Sequence, residues 1–421
     1  MPESLRARFL RYFFGPVQIS VLDQIVISAT RFLAGLLLLR NAPAQEYGLF
    51  VLLFSIILLA ISVQNALITT PLTVLAPAME PVEQSRFVRA LAKGQYLIWL
   101  PLLIFIPAGV ALWQPAEATL MFGHEMVLAA TLFFVLAREF LRRSFFVISR
   151  PGQVLRTDVL DAALLFALLF VLLPGDGLTA QAVIAVMGLS AMVASIFAVR
   201  FFFGVFDHSA GDVRAALRRC WVFGRWALLG VVVTWLQMQG FLFLLDFLQT
   251  REDVGHVSAV RMLAAPVMVF NTALIALYKP RSAALLARAG EAPAARMLRR
   301  MVLLSGLGCL VWFALIAAGQ ELLQELVLKT RIPDYGMLLA LWAGVFLLQI
   351  IRTGFSAYLQ IRHQFKALFY VGAAAAFVSL AAGWLFIITR GAAGSLWGVL
   401  AGEVVFVLGL MILARRSAQQ G

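Results

Sequence analysis

Charge is scarce in this sequence. Only 13% of its 421 residues are Asp, Glu, Lys or Arg, while 62% are hydrophobic. Soluble domains carry about a quarter charged residues and about half apolar ones, so a soluble enzyme or nucleic-acid-binding domain is excluded in favour of an integral membrane protein. Lysine is scarcer still, at 4 residues against 30 arginines, so the formal net charge of +13 is nearly all guanidinium. Cysteine is almost absent. Cys309 falls inside an apolar span and Cys220 in a basic loop, two different depths, so no disulfide is expected. The four histidines (His124, His208, His256, His363) sit at or near the ends of apolar segments. They form no HxxxH or Cys/His cluster, so neither a metal nor any other cofactor is expected. A nucleophile–base pair, a glycine-rich phosphate loop and a loop long enough for a soluble domain are missing too. The chain reads as a non-enzyme. The start of the chain lacks a small-residue cleavage pattern, so its first apolar segment reads as a retained helix.

What is present is apolar length. About 20 residues suffice for a helix to cross the hydrocarbon core. Twelve candidate spans follow: Val17–Leu39, Tyr47–Thr70, Leu91–Trp113, Glu125–Val147, Thr157–Leu173, Ala180–Phe203, Trp226–Leu248, Val257–Lys279, Met301–Gln320, Gly336–Gln360, Leu368–Thr389 and Leu396–Ala414. The N-terminus (Arg6, Arg8, Arg11), the even loops and the C-terminus hold 25 Lys and Arg, with Arg142 and Arg143 counted among them; the odd loops hold 5. Basic residues concentrate on the cytoplasmic side, so both termini are expected in the cytoplasm. The break at 204–225 follows six spans and divides the chain into residues 1–203 and 226–421. Within it Asp212–Val222 mixes Arg with apolar residues at helical spacing and reads as an interfacial helix on anionic lipid.

The halves look related. Glu46–Pro71 and Asp253–Pro280 each open on an acid, one intervening residue and a glycine (Gly48, Gly255). Each continues through an apolar helix with a late Asn (Asn65, Asn271) to a proline. Arg142–Gln153 resembles Ile351–Gln364. The offset is 207 residues at the glycines and 209 between Arg143 and Arg352. Two copies of six spans share one topology, and such repeats hold their substrate near mid-membrane, at the interface of the copies. The expected fold is therefore all-α: twelve transmembrane helices in two pseudo-symmetric six-helix bundles.

Apart from the 30 basic residues counted with the loops and termini, four arginines lie inside spans: Arg31, Arg138, Arg261 and Arg352. A charge at such depth costs roughly 3 kcal/mol on insertion scales and faces a cavity or a partner. Guanidinium suits phosphate because its planar fork donates two parallel hydrogen bonds. Arg31 and Arg261 come from different halves and have no acid one turn away, which makes them the best anion-site candidates. Arg138 is followed by Glu139, Arg142 and Arg143, where an ion pair near the cytoplasmic face competes with a substrate role. Arg352 shares a polar stripe with Gln349, Thr353, Ser356 and Gln360. Gln24, Asn65 and Gln239 are further polar candidates for a sugar or for one another. Asp23, Asp246 and Glu403 are buried acids, with Asp158 and Asp161 near the start of the fifth span. Any of them could take a coupling ion or neutralise an arginine. Neutralisation suits Asp23, which shares a helix with Arg31, and Glu403 lies beside Gly398 and Gly402, a close-packing signature. Pro101, Pro107 and Pro266 are expected kinks.

These features together, with the opening pattern RFLAGLLLLRNAPAQEYGLF (Arg31–Phe50) and its counterpart around Asp253–Gly255, resemble the polysaccharide transporter (oligosaccharide flippase) family of the multidrug/oligosaccharidyl-lipid/polysaccharide exporter superfamily. The resemblance implies a V-shaped pair of bundles in a bacterial inner membrane. They would alternate access around a cationic cavity for an undecaprenyl-diphosphate-linked oligosaccharide, with Arg31 and Arg261 at cavity positions. A glycan polymerase and glycosyltransferases would be its partners, and membrane lipid its surroundings. A cation-coupled multidrug exporter of the same superfamily and a non-transporting component of a glycan-assembly complex are the alternatives. A membrane glycosyltransferase is disfavoured by the short loops.

Overall fold

The computed structural model describes residues 16–113, 118–174, 178–206, 211–329, 331–362 and 364–419. Arg6, Arg8, Arg11, His208 and His363 lie outside them, as do the side chains of Pro107 and His124. Among the described residues every regular element is helical. In hydrocarbon nothing but the chain itself can satisfy backbone polar groups, and a helix does so within one segment.

The long helices are α1 (Pro16–Asn41), α2 (Ala44–Ala78), α3 (Pro81–Trp113), α4 (Ala118–Val147), α5 (Pro151–Leu172), α6 (Ala180–Val205), α7 (Val213–Leu248), α8 (Arg251–Met262), α9 (Ala265–Ala289), α10 (Glu291–Ala318), α11 (Tyr335–Ile361), α12 (Phe365–Arg390) and α13 (Ala392–Gln419). Eight of them, α1, α2, α6, α7 and α10 to α13, are long and apolar enough to cross a membrane, and α8 with α9 makes a ninth taken as one bent span. The chain is thus a multi-pass membrane protein. The expected third, fourth and fifth spans fall on α3, α4 and α5.

Two features differ from expectation. Val257–Lys279 is not one straight span, because α8 and α9 meet at an angle of 51°. Pro266 has no N–H to continue the helix, and the chain turns on short bonds from Leu263 to Val260 and from Ala264 to Arg261. By contrast Pro101 sits inside the unbroken α3. The expected interfacial segment Asp212–Val222 also differs. From Val213 onward it forms the first turns of α7, and no proline separates it from the span that follows.

The chain forms two compact units, Met1–Ala42 with Leu53–Val231, and Pro43–Leu52 with Val232–Gly421. The division falls inside α7, beyond the linker expected at 204–225. In the first unit α1 packs on α5, α3 on α4, and α4 and α5 on α6. Leu72, Leu91, Phe140, Phe145, Val154 and Phe202 fill its core. In the second, α9 packs on α10, α11 on α13, and α12 most extensively on α13. Lipid tails are as apolar as leucine, so close van der Waals packing decides helix association here. At Gly398 an added Cβ would overlap Gly383, and at Gly402 it would stand 2.5 Å from the Ser379 Cβ. Both cysteines are free and buried.

The repeat shows up as a contact inside the second unit. A Cβ on Gly48 would overlap the Arg251 carbonyl oxygen, and one on Gly255 would overlap that of Ala44. Arg251 and Ala44 are themselves 207 residues apart, the offset of the glycines. The two copies of the acid-x-glycine motif therefore pack against each other reciprocally.

Candidate functional site

In the first unit the buried charges assemble into one network. Asp158 and Asp161 are three apart on α5, and Arg138 and Arg142 four apart on α4, so each pair shares a helix face. The Arg142 Nε donates to Asp158 at 2.8 Å, another of its nitrogens donates to Asp23 of α1, and a third lies 3.6 Å from Glu139. Arg138 donates to Asp161 and lies 4.0 Å from Asp158. Arg143 closes the group on Glu139 at 2.9 Å. This corrects two expectations. Arg142 was counted with the cytoplasmic loop but is 7% exposed, drawn inward by acids on α1 and α5. Asp23 neutralises an arginine, but the partner is Arg142 rather than Arg31 of its own helix.

The second unit has a smaller counterpart. Glu403 of α13 is fully buried and lies 3.4 Å from the Arg352 Nε. Gln349 and Gln237 donate to the same carboxylate at 3.2 and 3.4 Å. Arg352 also lies over the Phe406 ring, 5.0 Å from its centroid. The polar stripe expected on α11 is thus turned, in part, toward an acid. Asp246 lies 3.6 Å from Arg251. Every buried carboxylate among the described residues has an arginine within ion-pair distance: Asp23, Glu139, Asp158, Asp161 and Glu403.

Arg31 and Arg261 are arranged differently. Neither has a carboxylate within ion-pair distance among the described residues. Arg31, half-buried on α1, makes no hydrogen bond among them and feels Arg138, Glu139, Arg142 and Asp158 only through space. Arg261 ends α8 at the bend. It donates to Gln239 at 3.0 Å and lies 5.4 Å from the centre of the Trp342 ring. Trp342 is fixed in turn by its indole N–H, which donates to the Val257 carbonyl at 3.0 Å. The nearby Tyr47 hydroxyl donates to the Met262 sulfur at 3.5 Å. Non-helical backbone at membrane depth occurs only inside protein or beside a water-filled cavity, which makes the break beside Arg261 informative.

The remaining candidates bond locally. Gln24 donates to Ser28 at 3.4 Å on its own helix. Asn65 accepts from Thr69 at 2.6 Å across the π turn Asn65–Thr69 of α2. Gln239 serves Arg261. Tyr47 and Trp342 had not been singled out in the sequence. Tyr47 could have been, as the middle residue of the Glu46-x-Gly48 motif. Trp342 could not, since an aromatic residue in an apolar helix carries no signal of its own. No group of His, Cys, Asp and Glu suited to a metal occurs among the described residues.

No protein-family model matches this chain, and no curated protein matches it in sequence. Solved structures do match. An inward-facing multidrug resistance MATE family transporter of the MOP superfamily aligns with a TM-score of 0.71 at 14% identity, over 93% of this chain and 94% of its own. The lipid II flippase MurJ, in an inward closed conformation, aligns with a TM-score of 0.69 at 8% identity, over 94% of this chain and 87% of its own. A MOP-superfamily transporter from Pyrococcus furiosus Vc1, described as having a binding pocket of reverse polarity, aligns at 0.57 and 14%, over 96% and 94%. At such identities the likeness is one of fold alone.

Proposed function

We propose that the protein is an alternating-access flippase of the polysaccharide-transporter type. It moves an undecaprenyl-diphosphate-linked oligosaccharide, the precursor of a surface polysaccharide such as an O-antigen or exopolysaccharide, across a bacterial inner membrane. In this reading twelve segments cross, α8 and α9 counting as one, with both termini cytoplasmic and two six-helix halves. It works beside glycosyltransferases and a glycan polymerase and performs no catalytic step itself.

One observation carries the reading. Arg31 and Arg261 are the span arginines without a carboxylate partner among the described residues, and a diphosphate is the anion that would compensate them. The paired state of every described buried acid speaks against the alternative, a cation-coupled multidrug exporter, which needs carboxylates free to exchange an ion. The fold alone does not separate the two, since its neighbours include a multidrug transporter and a flippase of lipid II. Arg138 and Arg352 enter the substrate site only as secondary candidates, and Asp23, Asp246 and Glu403 as ion-coupling groups only if their arginines release them.

The test is complementation. In a strain lacking the gene, Arg31→Gln and Arg261→Gln should each abolish surface glycan at unchanged protein level. Full activity of both removes the assignment. Drug resistance on overexpression, with no glycan phenotype, would favour the exporter; glycan loss only where folding fails would favour a scaffold.

A further inference from the structure

The first unit holds a cavity of about 260 Å³ between α2, α3 and α7, lined by Val63, Gln64, Leu67, Ile98, Trp99, Leu217 and Trp221 among others. That is many times the space a single water needs, enough for a stretch of alkyl chain. Its lining is almost wholly apolar. Gln64 is fully buried, and its amide is pinned by Gln95 at 3.0 Å and the Leu136 carbonyl at 2.8 Å. The Trp99 indole N–H is shielded from solvent and has no partner among the described residues.

One face of α7 gives the occupant its charge. Arg214, Arg218, Trp221 and Arg225 follow at spacings of four, three and four, and Leu217 lies three after Arg214 and four before Trp221, so the five share one side of the helix. Leu217 and Trp221 line the cavity; the arginines between and beside them are exposed. Arg214 and Arg218 have no ion-pair partner among the described residues, whereas Arg219, off the stripe, bonds Glu83 at 3.0 Å. Trp221 and Trp226 are 51% and 71% exposed, and exposed tryptophans mark the membrane–water interface. An apolar cavity and two guanidiniums without an ion-pair partner among the described residues therefore adjoin on α7.

We propose that this cavity is a specific site for an anionic bilayer phospholipid. One acyl chain enters between Val63, Leu67 and Leu217. Arg214 and Arg218 take the phosphate. The site uses none of the arginines assigned to cargo, so it stands or falls apart from the flippase reading.

Native mass spectrometry of the full-length protein, released from micelles containing equal phosphatidylglycerol and phosphatidylcholine, tests it. One phosphatidylglycerol should be retained preferentially. Arg214→Gln with Arg218→Gln, both exposed, should weaken that retention about 30-fold, at about 1 kcal/mol per arginine near an anionic headgroup and 1.4 kcal/mol per tenfold. Val63→Trp, which fills the cavity, should abolish it without changing the oligomeric profile. Equal retention of phosphatidylcholine, or wild-type retention by the arginine variants, overturns the proposal. Displacement of the lipid by equimolar polyprenyl diphosphate would assign the pocket to cargo and overturn it as well.

Discussion

Both units pair arginines with acids inside long helices, and they hold them differently. The first surrounds Arg138 and Arg142 with Asp23, Asp158, Asp161 and Glu139, drawn from three helices. The second gives Arg352 a single acid, Glu403, supported by two glutamines. Of the four arginines singled out inside spans, Arg31 in the first unit and Arg261 in the second have no carboxylate within ion-pair distance among the described residues. The comparison teaches that depth alone does not mark function. An arginine tied to acids fastens helices together; one without them is available to an anion that arrives from outside.

The largest effect should come from breaking the richer network. Arg142→Met leaves Asp23 without its arginine and Asp158 with only Arg138 at 4.0 Å, and should cost about 5 kcal/mol, the upper end for a broken buried pair. Denaturation in micelles would check it, and a loss below about 1 kcal/mol would dissolve the distinction between paired and unpaired arginines. Glu403→Leu should cost less, about 3 kcal/mol, because Arg352 is the single charge orphaned, beside the amides of Gln349 and Gln237. Adding Arg352→Met should restore most of that, as coupled neighbours do. Next comes the reciprocal glycine crossing, where Gly48→Val forces a Cβ into the Arg251 carbonyl and should cost about 1–3 kcal/mol, read as a lower thermal midpoint. The smallest effect belongs to Arg219→Ala. Its pair with Glu83 has side chains 57% and 53% exposed, and such pairs contribute under about 1 kcal/mol.

Much of this organisation is legible in the sequence. Apolar length reveals the helices because lipid imposes it, and the 207-residue offset finds the glycines that later prove to touch. Arg31 and Arg261 are recognisable because no acid lies one turn away on their own helices. The partners are not legible, because they come from other helices. Nothing in the spacing of Asp23, Arg142 and Asp158, which belong to α1, α4 and α5, shows that they converge. For the same reason Arg142, close to the end of its span, reads as a loop residue. The bend between α8 and α9 is half-legible. Pro266 announces it, but its angle depends on how Met262–Ala265 turn, which tertiary packing decides.

The central claim is that Arg31 and Arg261 recognise a lipid-linked diphosphate. Equilibrium binding of polyprenyl diphosphate to the purified protein tests it most directly, with the uncharged polyprenol as control. Arg31→Gln and Arg261→Gln should each weaken diphosphate binding about 10- to 100-fold, for a lost charged hydrogen bond of about 1.5–3 kcal/mol, while polyprenol binding and thermal midpoint stay at wild-type values. Unchanged diphosphate affinity in both variants would contradict it.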